Sequence, residues 1–161
     1  MHFLLLILSA LAGKWDGVPS DIAASGSVSA SPEQVYEHLL SLDNLHALFS
    51  EACVSEWENG NKSSGFGATA AVRYDFGPMH RRLALTISKG EPGRYLDLDH
   101  PGKKGFVTRF MLAPSATGTA VEMTTRLNPP PWPVKSVFYN RVMPEWKACY
   151  EAALTQLDAA L

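Results

Sequence analysis

At 161 residues the chain is long enough to bury a real core and short enough to be one domain. Its hydrophobic fraction of 46% and charged fraction of 19% are those of a globular chain and exclude intrinsic disorder. A net charge of −2, with no long run of either sign, argues against nucleic acid as a partner, because duplex binding needs a clustered basic face.

The N-terminal stretch His2 to Ala12 (HFLLLILSALA) is almost wholly apolar. A bilayer span needs about 20 residues, so the stretch is too short for an ordinary transmembrane helix. It has the length of a signal-peptide core, and Ala10-Leu11-Ala12 has the small-x-small form of a cleavage site, but no basic residue precedes it. Export signal or anchor, truncated anchor, and packing segment of a soluble protein all remain open, with membrane contact through residues 3–12 as one consequence. Exported or membrane-associated placement is favoured over cytoplasmic. Residues 1–20 therefore read as a segment and linker outside the domain, which spans 21–161.

Within the domain, Ile22 to Ala30 is small and alternating, a first strand. Ser31-Pro32-Glu33-Gln34 is a helix start: Ser31 caps, Pro32 suits the first helical position and Gln34 completes a capping box. Val35, Leu39 and Leu42 recur at helical spacing. Asp43 is the expected cap of a second short helix through Phe49. Strand signals follow in series. Cys53 to Glu58 ends in the turn cluster Asn59-Gly60-Asn61. From Ala68 to Phe76, Val72, Tyr74 and Phe76 face one way and Arg73 and Asp75 the other. Leu83, Leu85 and Ile87 share the face of the next strand. Leu96 and Leu98 alternate with Asp97 and Asp99, which are expected in solvent. Phe106, Thr108, Phe110 and Leu112 share a face, as do Val121, Met123, Thr125 and Leu127 after a hairpin at Ser115 to Gly118. Asn128-Pro129-Pro130-Pro131 ends the sheet. From Val134 the period becomes helical, with Val137, Phe138, Val142, Trp146, Cys149, Ala153, Leu157 and Ala160 in one apolar stripe and a kink expected near Met143, before Pro144.

Strand, two helices, six strands and a long helix make an α+β domain. Short connections favour neighbouring antiparallel pairs, about seven strands in all, with the last helix covering the apolar face. A bent sheet wrapped on one helix tends to leave a space between them, either open or filled by Phe and Leu side chains. The side chains facing it by alternation are Val72, Tyr74, Phe76, Arg81, Leu83, Leu85, Leu96, Leu98, His100, Phe110, Met123 and Thr125, with Phe138 and Trp146 from the helix.

Ser29–Phe49 (SASPEQVYEHLLSLDNLHALF), following a strand, resembles the opening of the START-like (SRPBCC) helix-grip superfamily. That group includes polyketide cyclase/dehydrase and lipid-transport proteins. The matching positions are Ser31, Pro32, Glu33, Val35 and Tyr36, and Leu112–Met123 (LAPSATGTAVEM) is similar to the group's later hairpin. The likeness runs over residues 22–161, without the Trp-Pro often present in the second helix. It implies a curved sheet gripping the C-terminal helix and an internal site for a small hydrophobic ligand, such as a lipid, isoprenoid or polyketide-like compound.

Chemistry-bearing patterns are sparse. No Ser/His/Asp order, phosphate-binding Gly loop or HExxH is present, and the five histidines have no metal-ligand spacing. No cofactor or metal is expected, and a monomer is. Cys53 and Cys149 lack CxxC spacing and read as two free, semi-buried thiols; a bond between them requires closeness that spacing does not show. His80 and His100, near strand ends, read as surface or turn residues. Binding without catalysis is favoured. The alternatives are a cyclase- or dehydratase-like enzyme using Arg81, Tyr74 or His100, which requires an inward polar pair, and a membrane-tethered interaction domain.

Overall fold

The computed structural model describes residues 22–102, 105–127 and 134–161, and side chains from 136 within the last span. The apolar segment 3–12, Lys103-Lys104, the proline run and Trp132 lie outside the described residues. The elements are β1 (Ile22–Val28), α1 (Pro32–Leu39), α2 (Leu42–Phe49), β2 (Val54–Asn59), β3 (Thr69–Phe76), β4 (Met79–Glu91), β5 (Tyr95–His100), β6 (Phe106–Ser115), β7 (Gly118–Arg126), the single turn α3 (Val134–Val137), a π-helical turn (Phe138–Val142) and α4 (Met143–Ala160).

The seven strands form one antiparallel sheet in the order β1-β7-β6-β5-β4-β3-β2. Strands β2 to β7 are a meander, in which each short turn delivers the next strand to its neighbour's edge. β1 returns to pair with β7, from Ile22 opposite Thr125 to Val28 opposite Thr119. α4 lies across the inner face against β1 and α2. At the crossing, Gly26 sits where any side chain would press on Leu154, 3.3 Å from a Cβ at that position.

α1 begins as its sequence dictates. The Ser31 hydroxyl accepts from the Gln34 N–H at 3.2 Å, and the Gln34 carboxamide accepts from the Ser31 N–H at 3.0 Å. Each bond satisfies a helix-end donor that would otherwise be unpaired. α2 is capped by Ser41, whose hydroxyl accepts from Asn44 N–H, and not by Asp43, which falls inside the first turn. β4 is longer than its alternation suggests because a bulge between Ile87 and Lys89 lets pairing continue to Glu91.

Pro144 acts before its own position. Lacking an N–H, it leaves the Asn140 carbonyl without an i→i−4 donor, and the preceding turn widens to a π-helix in which Met143 N–H bonds the Phe138 carbonyl. The wider turn shifts the helical phase. Val137, before the turn, is therefore exposed. Ala160 is exposed at the far end of α4, and Tyr150 and Leu154 share the buried face with Trp146, Cys149, Ala153 and Leu157, as i, i+4 neighbours do.

Two further expectations are overturned by long-range contacts. Cys53 and Cys149 are not free thiols: they form a disulfide across 96 residues of sequence, with Cα atoms 5.5 Å apart. The grip brings the middle of α4 over the junction of α2 and β2, a proximity that only the tertiary fold creates. Asp97 is not in solvent either. It is 1% exposed on the outer face, held by Arg109 in a two-pronged pair at 2.7 and 2.8 Å, with Lys89 at 3.9 Å. Arg109 in turn lies 4.5 Å over the Tyr95 ring. The long cationic stems roof the carboxylate, which alternation alone cannot register.

Candidate functional site

The inner face is set by strand register. Tyr74 lies opposite Arg81, Leu98 opposite Thr108, His100 opposite Phe106, and Thr108 opposite Thr125. These pairings bring β3, β5, β6 and β7 side chains to one end of the interior, where Trp146 and Tyr150 of α4 meet them.

Two polar groupings form there. The Tyr74 hydroxyl lies 2.7 Å from His100 Nε2, with both side chains buried. The arrangement that strands fewest groups has Tyr74 O–H donating to Nε2 and the proton of the neutral ring on Nδ1. Nδ1 leans toward the Phe106 backbone yet makes no hydrogen bond of good geometry. The second grouping is a triangle of hydroxyls. Tyr150 bonds Thr108 at 2.7 Å and also bonds Thr125, and the two threonines lie 3.2 Å apart. The Trp146 indole N–H approaches the Tyr150 hydroxyl without completing a bond.

Aromatic rings pack around these groups. Phe76 stacks on Trp146 with centroids 4.3 Å apart, Phe106 meets Trp146 edge-on at 4.6 Å, and His100 stacks on Phe106 at 4.1 Å. The setting is hostile to charge. Burial lowers the His100 pKa to about 3, against a smaller opposing pull from the Phe106 backbone. Burial also lifts Tyr74 well above the ordinary phenol range, helped by nearby Tyr150, and raises Tyr150 itself.

Of the side chains expected to face the interior, Val72, Tyr74, Phe76, Leu85, Leu96, Leu98, Phe110, Met123 and Trp146 are buried in one continuous core, and the polar His100 and Thr125 are buried too. Arg81 is at an inward register position at the start of β4, half-buried. Leu83 and Phe138 are likewise half-buried at its margin. His100 is buried, not a surface or turn residue, because β5 extends through it and Phe106 covers it. His80 is exposed on the outer face, 2.5 Å from Asp75. Hydrogen bonds from Ser55 and then His80 hold the Asp75 carboxyl below the usual carboxylate range. Tyr150 and Phe106 were missed as site residues. The spacing of Tyr150 four residues after Trp146 is the signal that places both on one helix face. Among the described residues no cluster of His, Cys, Asp and Glu is arranged to hold a metal.

A curved antiparallel sheet closed on a long C-terminal helix, with an interior of apolar and uncharged polar side chains, defines a helix-grip α+β domain. The chain belongs to the polyketide cyclase / dehydrase and lipid transport family, whose sequence profile matches residues 20–161. Solved structures share the fold. One is the solution structure of the KanY protein, with TM-score 0.72 and 16% identity over 89% of this chain and 98% of that one. Another is TTHA0849 from Thermus thermophilus, with TM-score 0.65 and 16% identity over 86% and 94%. A third is the Aha1 dimer from Colwellia psychrerythraea, with TM-score 0.58 and 20% identity over 87% and 94%. No curated protein matches the chain.

Proposed function

We propose that this domain binds a small hydrophobic molecule between the inner face of the sheet and α4, and holds it without chemical change. Membership of a family described by cyclisation, dehydration and lipid transport supports an internal ligand. The observation that carries the non-catalytic part is the Tyr74–His100 pair. A general base works best with a pKa near the operating pH. A histidine held at about 3 is a weak base there, and a phenol pushed above its usual range is a weak acid. The pair is suited to hydrogen bonding rather than to moving a proton.

One observation favours the enzymatic alternative: the two polar side chains that a cyclase- or dehydratase-like site requires do converge, 2.7 Å apart, in the interior. Native mass spectrometry of protein purified from its host separates the readings. A bound apolar molecule recovered with unchanged mass supports binding. A molecule taken up and released lighter by one water supports the enzyme. Protein that is consistently empty, and takes up nothing from a lipid extract, sinks both.

A further inference from the structure

The polar atoms of the interior limit what its ligand carries. Among the described residues, the polar side chains buried on the inner face include Tyr74, His100, Thr108, Thr125 and Tyr150, and none of these bears charge at neutral pH. The inward cation at the margin, Arg81, is half-buried at a strand end and already has an interaction of its own. A carboxylate or phosphate among the hydroxyls would thus lose its water and gain no counter-charge from them, which opposes its binding. An uncharged oxygen meets the opposite situation. Two buried N–H groups, Trp146 Nε1 and His100 Nδ1, lack well-formed bonds and flank the same Phe106 ring. In the hydroxyl triangle beside them three protons serve three edges, so it offers lone pairs and the two N–H groups are the donors left for a ligand oxygen.

Resting on the binding reading above, we propose that the ligand is a neutral molecule with an apolar body and one uncharged acceptor oxygen, a carbonyl or hydroxyl, which accepts from the Trp146 and His100 N–H groups beside the Phe106 ring. Free fatty-acid anions of the same skeleton bind more weakly, because the polar side chains buried on the inner face among the described residues bring no charge to meet theirs. The ligand's oxygen takes the bond that Trp146 lacks, and the aromatic rings pack its carbon frame.

Titration calorimetry with 2-undecanone, 1-undecanol and undecanoate at pH 7.5 tests this. The ketone and alcohol are expected to bind at least about tenfold more tightly than the carboxylate. The carboxylate should gain affinity as the pH falls to about 4.5 and its own acid form appears, because His100 stays neutral there. W146F, which removes the indole N–H, and H100F, which removes the ring N–H, should each weaken the ketone about fivefold. Circular dichroism establishes that each is folded, and either variant keeps the test alive if the other is not. Undecanoate binding as tightly as the ketone at pH 7.5 overturns the neutral-ligand class and leaves the binding reading standing. So does unchanged ketone affinity in the folded variants. Failure of all three compounds to bind overturns both.

The disulfide carries a second, independent inference. Cys53 and Cys149 are both buried, 7% and 3% exposed, and bonded. Such bonds persist in oxidising compartments and are rare where thiol buffers keep cysteines reduced. The apolar stretch His2–Ala12 has the length of a signal-peptide core. We infer that the domain matures outside the reducing cytoplasm. There the two thiols pass two electrons and two protons to a disulfide-bearing oxidant, which leaves as a dithiol. Alkylation of thiols in intact host cells, followed by peptide mass mapping, is expected to find Cys53 and Cys149 linked and unalkylated, in the fraction outside the cytosol. Alkylation at both cysteines, or a linked form confined to the cytosol, overturns it.

Discussion

His100 shows how one buried side chain ties the interior to pH. Folded, its ring stays neutral down to about pH 3; unfolded, it takes up a proton near pH 6.5. Unfolding therefore binds a proton between those values. The histidine imposes no penalty above pH 6.5, and stability falls progressively as the pH drops from 6.5 toward 3. Between pH 6.5 and 4.5 this one group should remove about 2 kcal/mol, slightly less than two full pKa units because the unfolded ring is half-protonated at pH 6.5. Urea unfolding of wild type and H100Q across that range provides the check. The variant should lose the slope that His100 contributes, whatever its absolute stability; parallel slopes would remove the histidine from the account. Asp97 makes a different point on the other face. Its charge is matched by Arg109 at 2.7 and 2.8 Å, so D97N leaves a nearly buried guanidinium without its carboxylate. A loss of about 2–4 kcal/mol is expected in denaturant midpoints, far above that of an exposed pair such as Arg82–Glu58.

Elements were the most legible level, because their signals are local. The Ser31 capping box, the alternation through β3 and the hairpin glycine at 118 depend on residues within a few positions of each other. Boundaries moved where a neighbour intervened: pairing with β3 and β5 lengthened β4, and Pro144 turned the expected kink into a π-turn. That turn is held from outside by the β3–β4 hairpin. Gly77 has φ +57°, and a Cβ there would stand 2.8 Å from the Arg141 carbonyl oxygen. G77A should therefore cost about 1–3 kcal/mol through both strain and overlap, and should raise hydrogen exchange in the π-turn more than in β6 and β7. Uniform exchange through the domain would mean that the hairpin does not brace the helix.

Across the whole molecule, the disulfide joins positions 53 and 149, so its effect is global. Closing so long a loop restricts the unfolded chain, and reduction or C149S should lower stability by about 3–4 kcal/mol. Calorimetry with and without reductant measures the difference; identical curves would show that the bond adds nothing. The same long-range closure decides the candidate site. Composition, turn chemistry and periodicity determined by themselves that this chain folds as an α+β domain, that its strands alternate an inward and an outward face, and that its last helix carries a covering stripe. Each is a property of a short window of sequence or of its average. The tertiary structure alone decided that Tyr74 meets His100, that Thr108 and Thr125 meet Tyr150, that Asp97 is roofed by Arg109, and that the two cysteines bond. Those partners lie 12 to 96 positions apart. Their meeting follows from strand register and the docking of α4, where one step of slip would turn every inward side chain outward.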